Sequence, residues 1–470
     1  MQSGRSKSRE ASLSFHLTSL GCAKNRVDSE VVLADLLGRG FLLSQEREMA
    51  EIIVVNTCAF IQPAVEEAID HLLAAAKLKE KGRARWVVGL GCLPERYGPD
   101  LARQLPEVDL FVGASALHRA GQAIQALARG HKPRLIRSSK RFLYCSATPR
   151  TLTTPAGSAY LKIAEGCPNR CAFCTIPAIR GRQRSRPIED IVKEIEKLAS
   201  LGVVEVNLVA QDLTAYGQDL KPPASLSGLL QALEVCRPAP AWIRLLYLNP
   251  ARLDQALLDQ MAKSSRLLPY LDLPLQHASP RLLKKMGRKP PDQDLLKWLG
   301  QIRRGLPKAV IRTSLMVGYP TETEAEFEAL LDFVSQARFE HLGGFVFWPE
   351  EGVRAARMAG QVPAKVAQER LARLMELQAR ISLEHHRGRV GQKVDVLIEG
   401  LHPESELLLV GRAWFQAPEA DGQVIVRAGF GQVGAIQPAR VVAAHPYDLV
   451  VELVGAKANR KAVQLNDPVV

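Results

Sequence analysis

Residues 165–174 read "EGCPNRCAFC", with Cys167, Cys171 and Cys174 in the spacing C-x3-C-x2-C and Phe173 just before the last. A structural zinc ion closes its shell with four ligands, and no C-x2-C or H-x3-H pair stands by to complete this one. A cubane four-iron four-sulfur cluster takes thiolates on three irons and leaves the fourth iron for an outside ligand. The stretch also sits at the start of a repeating pattern. From about residue 158 the strand candidates "AYLKIAEG", "VEVNLVAQD", "WIRLLYLNP", "YLDLPLQH", "IRTSLMVGYP" and "HLGGFVFWP" alternate with helical segments such as "PIEDIVKEIEKLASLG". Six strands with intervening helices predict a partial (βα)6 barrel over 156–387, whose loops at the strand C-termini carry the chemistry.

Upstream, over 13–115, "LSFHLTSL", "EIIVVNTC", "RWVVGLGC" and "VDLFVGAS" alternate with helical stretches, which predicts an α/β domain with a mostly parallel sheet. Cys22, Cys58 and Cys92 recur about 35 residues apart, each after a strand and before a helix. A parallel sheet puts all three on one edge, at the strand C-termini where ligands bind. Converging there they can hold a second cluster, again with one iron open; three independent core cysteines are the alternative. Cys145 and Cys236 fit neither set and read as buried or incidental thiols. Residues 116–155 lose the rhythm and read as a linker with at most a short helix. Downstream, a long charged helix, "AKVAQERLARLMELQARISLEHHRGR", leaves the barrel. Five short period-two strands over 388–453 then predict a small antiparallel β-barrel of the OB type. Residues 1–12 read as a disordered leader and 454–470 as a tail.

A chain of 470 residues, 47% hydrophobic and 24% charged, is long enough for two or three soluble domains. It has no apolar run of eighteen residues and no apolar stretch near its start, so we expect a cytoplasmic protein with no membrane partner. Eight cysteines are too few for a disulfide framework in so long a chain. No Walker A loop, dinucleotide glycine fingerprint or H-E-x-x-H motif is present. The net charge of +13 invites a nucleic-acid partner. The arginine run "RGRQRSRP" after the first cysteine loop reads as a solvated loop, with contact to the substrate's surroundings or to ribosomal RNA as the alternative.

"EGCPNRCAFC" resembles the cluster motif of the radical S-adenosylmethionine superfamily, C-x3-C-x-aromatic-C. "TSLGCAKNRVDSE", "VVNTCAF" and "GLGCLPERY" resemble the three signatures of the methylthiotransferase N-terminal domain, and the C-terminal barrel resembles the TRAM domain of that family. The likeness runs from about residue 13 to 452. It implies two 4Fe-4S clusters, one on Cys167, Cys171 and Cys174 whose unique iron is chelated by S-adenosyl-L-methionine, and an auxiliary one on Cys22, Cys58 and Cys92 that carries the sulfur to be transferred. By the same resemblance, an external electron donor and a sulfur source are partners. Gln211 and Asp212, at the end of a barrel strand, and Gln276, His277 and Arg312 are candidates to line the S-adenosylmethionine or substrate pocket. No catalytic side chain is assigned beyond the cluster ligands.

Two substrates compete within the family: an aspartate of small-subunit ribosomal protein S-twelve, free or on the ribosome, and an adenosine of transfer RNA. Over 388–452 five Lys and Arg face eight Asp and Glu, so the small barrel carries about −3 and suits a phosphate backbone poorly. A basic ribosomal protein suits it better. "PLQHAS", "PEEGVRA", "APEADG" and "YDLV" resemble the protein-modifying, RimO-type branch; the RNA-modifying branch more usually has a Q-S-G-S stretch in place of "QHAS". Thr321 stands where the family commonly has Gly, and Val353 where Thr is usual. A more distant alternative is a non-catalytic iron-sulfur binding factor acting at the ribosome.

Overall fold

The computed structural model describes residues 13–454 apart from 132, 290 and 292. The expected leader, and all of the expected tail but Val454, lie outside the described residues. The chain forms two compact units, one running to Thr153 and including Ala178–Arg180, the other made of Thr154–Pro177 and the chain from Gly181 onward.

The first unit is built on six parallel strands: β1 Ser14–Ser19, β2 Leu42–Leu43, β3 Ile52–Thr57, β4 Trp86–Gly91, β5 Leu110–Gly113 and β6 Leu135–Ile136. Their order is β2-β1-β3-β4-β5-β6. Helices α1 Ala23–Gly38, α2 Gln62–Lys81, α3 Cys92–Gln104 and α4 Ala120–Ala128 connect them. The fully buried "IIVVNT" of β3 shows why both faces are covered. Ile52 and Val54 pack with Val32, Leu36 and Ile124 of α1 and α4, whereas Ile53 and Val55 pack with Val65, Leu72 and Leu101 of α2 and α3. Successive side chains point to opposite faces, so a continuous apolar run needs two helical layers.

The expected linker is only partly one. It contributes α4 and the edge strand β6, and its far end is held by Glu30, which accepts from Arg150 Nε at 2.6 Å and from the Thr153 amide at 2.8 Å. A two-residue strand has too few positions to show a period, which is why β6 left no mark in the sequence.

In the second unit β7 Ser158–Lys162, β10 Glu205–Val209, β11 Trp242–Leu245, β12 Leu267–Gln276, β13 Val310–Val317 and β14 His341–Val346 form an open parallel sheet in sequential order. Between β7 and β10, β8 Ala164–Glu165 pairs antiparallel with β9 Arg184–Ser185 and brackets the cysteine loop and the single turn α5, Ile176–Ile179. Helices α6 Ile188–Ser200, α7 Leu226–Val235, α8 Gln255–Lys263, α9 Pro280–Met286, α10 Leu295–Gly305 and α11 Glu324–Ala337 complete the βα repeats. The long helix α12, Ala364–Arg387, does not leave the barrel. It lies along β14, with Gln378 Nε2 donating to Phe339 O at 2.9 Å and Arg370 Nη1 to Glu322 Oε2 at 2.7 Å.

The last five strands, β15 Lys393–His402, β16 Ser405–Ala413, β17 Val424–Ala428, β18 Ile436–Ala444 and β19 Leu449–Leu453, close into a barrel ordered β15-β16-β17-β19-β18. It is not wholly antiparallel, because β17 and β19 run parallel.

Candidate functional site

The first unit gathers Cys22, Cys58 and Cys92 as the order of its strands dictates. They follow β1, β3 and β4, which are adjacent, and the connection reverses at β1, where a parallel sheet opens its ligand crevice. The loops meet closely. Gly21, at φ +86°, has no room for a Cβ, which would stand 2.7 Å from Cys58 Cβ and 3.1 Å from its Sγ. Gly91, at φ +94°, is likewise closed, because a Cβ there would run into Asn56 Oδ1, an oxygen buried without a hydrogen-bond partner. Burial pushes Cys92 up to about 12, against the pull of Arg180, with Cys58 and Cys22 adding to the rise. Burial also raises Cys58, and the neighbouring Cys22 adds to it. Against the desolvation that raises it, Lys24, Arg180 and the backbone N–H groups of Asn25 and Lys24 hold Cys22 below its usual value. Crowded thiols of this kind are relieved when a metal takes their protons' place.

In the second unit the cysteine loop is pinned at both ends. The Cys167 amide donates to Gly181 O at 3.1 Å, and Ala172 donates to Met286 O and accepts from the Ala355 amide, each at 2.8 Å. Gly166, at φ +84°, lets the chain pass the Arg182 carbonyl, which a Cβ would approach to 2.2 Å. Burial raises Cys167 and pushes Cys174 up to about 12, with Cys171 adding to both. Asn169 Nδ2 donates to Cys167 Sγ at 3.4 Å, and Arg288 Nη1 lies 3.9 Å from Cys171 Sγ. Among the described residues no group of three or more His, Cys, Asp or Glu is gathered tightly enough for one metal ion. A multi-iron core places its thiolates on different irons and does not need them gathered around one ion.

Four of the five remaining candidates lie at the ends of the barrel strands that carry the loops. Gln211 Nε2 donates to Glu165 Oε1 at 2.6 Å, and Glu165 Oε2 accepts from Lys162 Nζ at 2.6 Å, which ties Gln211 to the residue that opens the motif. Asp212 Oδ2 accepts from Asn169 Nδ2 at 2.6 Å and from Arg252 Nη1 at 2.7 Å, so Asp212 holds the loop through Asn169. Gln276 ends β12 at φ +75°. The side-chain oxygens of Gln211 and Gln276 are buried and make no hydrogen bond. His277 is fully enclosed: Nδ1 accepts from the Ser279 amide at 2.9 Å, so Nε2 carries the proton and donates to Glu322 Oε1 at 3.0 Å. It therefore positions the turn.

Arg312 does not join this group. It is the third residue of β13, towards the strand N-termini, and reaches Asp272 at 3.4 Å and Asp421 of the small barrel at 3.1 Å. The strand reading took it as a pocket-facing residue of the right sheet, but its side chain is taken up near the strand N-termini by two carboxylates that local sequence does not reveal. The arginine run also departs from expectation. Arg180 and Arg186 are buried, the first paired with Asp28 at 2.7 Å, the second with Asp190 at 2.7 Å and Glu194 at 2.6 Å. Arg180 Nη2 also donates to Cys92 Sγ at 3.2 Å, a contact that sequence spacing could not show. Thr321, read from the sequence as a departure from the family pattern, adopts φ +71°, and Lys285 Nζ and Arg281 Nη2 donate to its hydroxyl and carbonyl at 2.8 and 2.7 Å. Cys236 is buried, and Cys145 is exposed.

Residues 161–334 match the Radical SAM superfamily, 14–113 the Uncharacterized protein family UPF0004, and 390–454 the TRAM domain. The chain is 46% identical over 441 residues to ribosomal protein uS12 methylthiotransferase RimO of Myxococcus xanthus, covering 94% of this chain and 92% of that one. It is 46% identical over 451 residues to the protein of the same name from Syntrophobacter fumaroxidans, covering 95% and 99%. A radical S-adenosylmethionine methyltransferase, TsrM of Kitasatospora setae, solved with cobalamin and a [4Fe-4S] cluster bound, shares the fold at a TM-score of 0.52 and 16% identity, over 71% of this chain and 72% of that one.

Proposed function

The chain belongs to the RimO family of ribosomal protein uS12 methylthiotransferases, and we propose that it adds a methylthio group to the β-carbon of an aspartate in that protein. The observation that carries this reading is the presence of two three-thiol sets, each on its own strand-end loops, in a chain that aligns with these relatives over more than nine-tenths of its length. Cys167, Cys171 and Cys174 would hold one 4Fe-4S cluster, and Cys22, Cys58 and Cys92 the other. When bound, the two clusters and S-adenosyl-L-methionine supply the one-electron reduction, the radical and the sulfur site that this transfer needs.

The chain's own residues bind and orient. The free oxygens of Gln211 and Gln276 are acceptors for the amino and hydroxyl groups of S-adenosylmethionine or for the substrate backbone. Asp212, through Asn169, holds the loop and directs an N–H at the Cys167 sulfur. Beneath the loop Ala172, Met286, Tyr319 and Phe347 form a dry floor that keeps water from the reacting groups. No helix among the described residues is long and apolar enough to cross a membrane. A ribosomal substrate makes the cytoplasm the proposed place of action, with an external electron donor and a sulfur source as proposed partners.

The test is anaerobic incubation of the reconstituted protein with S-adenosylmethionine, dithionite, a sulfide source, uS12 and transfer RNA, followed by mass spectrometry. A methylthio group on an aspartate of uS12 is expected. Methylthioadenosine with unmodified uS12 would assign the chain to the RNA reaction, and absence of reductive cleavage of S-adenosylmethionine would leave only a binding role.

A further inference from the structure

Arg180 is only 4% exposed and reaches the sulfur of one of the three thiols of the first unit. Nη1 donates to Asp28 Oδ2 at 2.7 Å, while Nη2 donates to Asn25 Oδ1 and, at 3.2 Å, to Cys92 Sγ. Both anchors come from α1 and are buried themselves. Asn25 is fixed in turn, its Nδ2 donating to Leu20 O at 3.0 Å and Thr57 O at 2.9 Å, the carbonyls just upstream of the Cys22 and Cys58 loops.

A buried guanidinium is costly unless its charge is balanced and its N–H groups are taken up. Asp28 balances it while the thiols are neutral. Three thiolates around an iron-sulfur core add negative charge at the spot to which Nη2 points, and a one-electron reduction adds more. A cation and an N–H donor on a ligand sulfur stabilise that more negative state.

We infer that Arg180, clamped by Asp28 and Asn25 with Nη2 on the Cys92 sulfur, is a positioning residue that raises the reduction potential of the auxiliary cluster. This rests on the reading of Cys22, Cys58 and Cys92 as that cluster's ligands.

The test uses the full chain with Cys167, Cys171 and Cys174 all replaced by Ala, reconstituted anaerobically so that only the auxiliary set is loaded. Iron and sulfide are counted, and the cluster is titrated under electron paramagnetic resonance, with dithionite supplying the electron through mediators and no bond made or broken. Compared with Arg180, Arg180→Met is expected to lower the equilibrium constant for reduction about tenfold, which is about 59 mV for one electron. Arg180→Lys keeps the charge without the planar fork and should recover most of the shift.

A loaded Arg180→Met cluster with unchanged potential overturns the inference. If that variant takes up no iron, Arg180→Gln, which keeps an N–H donor without the charge, decides in the same way. Loss of iron from both neutral variants but not from Arg180→Lys supports a need for the charge. Loss from all three overturns the redox role in favour of packing. If the Arg180 parent itself takes up no iron, the ligand reading fails, and that outcome is separate from all the others.

Discussion

Gly91 is the point at which a single methyl group would separate the loops of the auxiliary set. In Gly91→Ala the Cβ must displace Asn56 and Thr57, and the left-handed backbone adds a strain of about 1–3 kcal/mol. We expect a lower melting temperature and loss of about half of the roughly eight irons of a doubly loaded chain, counted by iron and sulfide assay. Full iron content would show that the loops tolerate the methyl group. Asp212 acts at one remove from Cys167. Asp212→Ala removes the acceptor of Asn169 Nδ2, leaving Asn169 held through its Oδ1 by Arg252, and is expected to slow S-adenosylmethionine cleavage about 10- to 100-fold, the usual cost of a lost outer partner. Deoxyadenosine formation without uS12 measures it, and a near-normal rate would place Asp212 outside the machinery. At this scale the two three-cysteine sets were legible because their spacing is local or repeats with the βα unit. Arg180 and Asn169 were not, because a hydrogen bond to sulfur leaves no period in the chain.

The elements are joined by charges that are buried only where they meet. Glu205, at the start of β10, accepts from Arg244 of β11 at 2.9 Å and from Arg412 of β16 in the small barrel. Burial raises the Glu205 pKa, but Arg412 and Arg244 outweigh it and hold the carboxyl far below the usual range. Removing one partner strands the others, so Arg412→Ala is expected to cost about 3–5 kcal/mol in urea unfolding. A cost below about 1 kcal/mol would show that water reaches the cluster. At the end of α12, His386 Nδ1 donates to His445 O at 2.9 Å, and burial lowers its pKa to about 4. The unfolded chain binds this proton near pH 6.5 and the folded one only near pH 4. The stability that this neutral imidazole contributes is therefore present above about pH 6.5 and lost as the pH falls through that window. His386→Gln should flatten the pH dependence of the melting temperature between those values, and an unchanged slope would count against the assignment.

Across the whole molecule the excess of positive charge is not shared by the TRAM barrel. Burial does not change its sign, because one cation, Arg412, and one anion, Asp421, are both withdrawn into ion pairs. Glu404, on the β15–β16 turn, and Glu406, the second residue of β16, are exposed and can meet a basic protein. Replacing both with Lys is expected to slow association with uS12 several-fold at low salt, with little effect at high salt and an unchanged melting temperature. Association that is insensitive to both changes would move the contact elsewhere. The sequence by itself determined the fold class and the alternation of the longer strands with helices, and it showed where the two three-cysteine sets stand relative to them, because burial on both faces of a strand and the repeat of the βα unit are written in local order. Only the tertiary structure decided that β6 completes the first sheet, that β17 and β19 run parallel, that Arg312 serves the far end of the strands, and that Arg180 and Arg186 are buried. Each of these depends on which distant residue arrives beside it, and a charged side chain has the same appearance in sequence whether water or a carboxylate surrounds it.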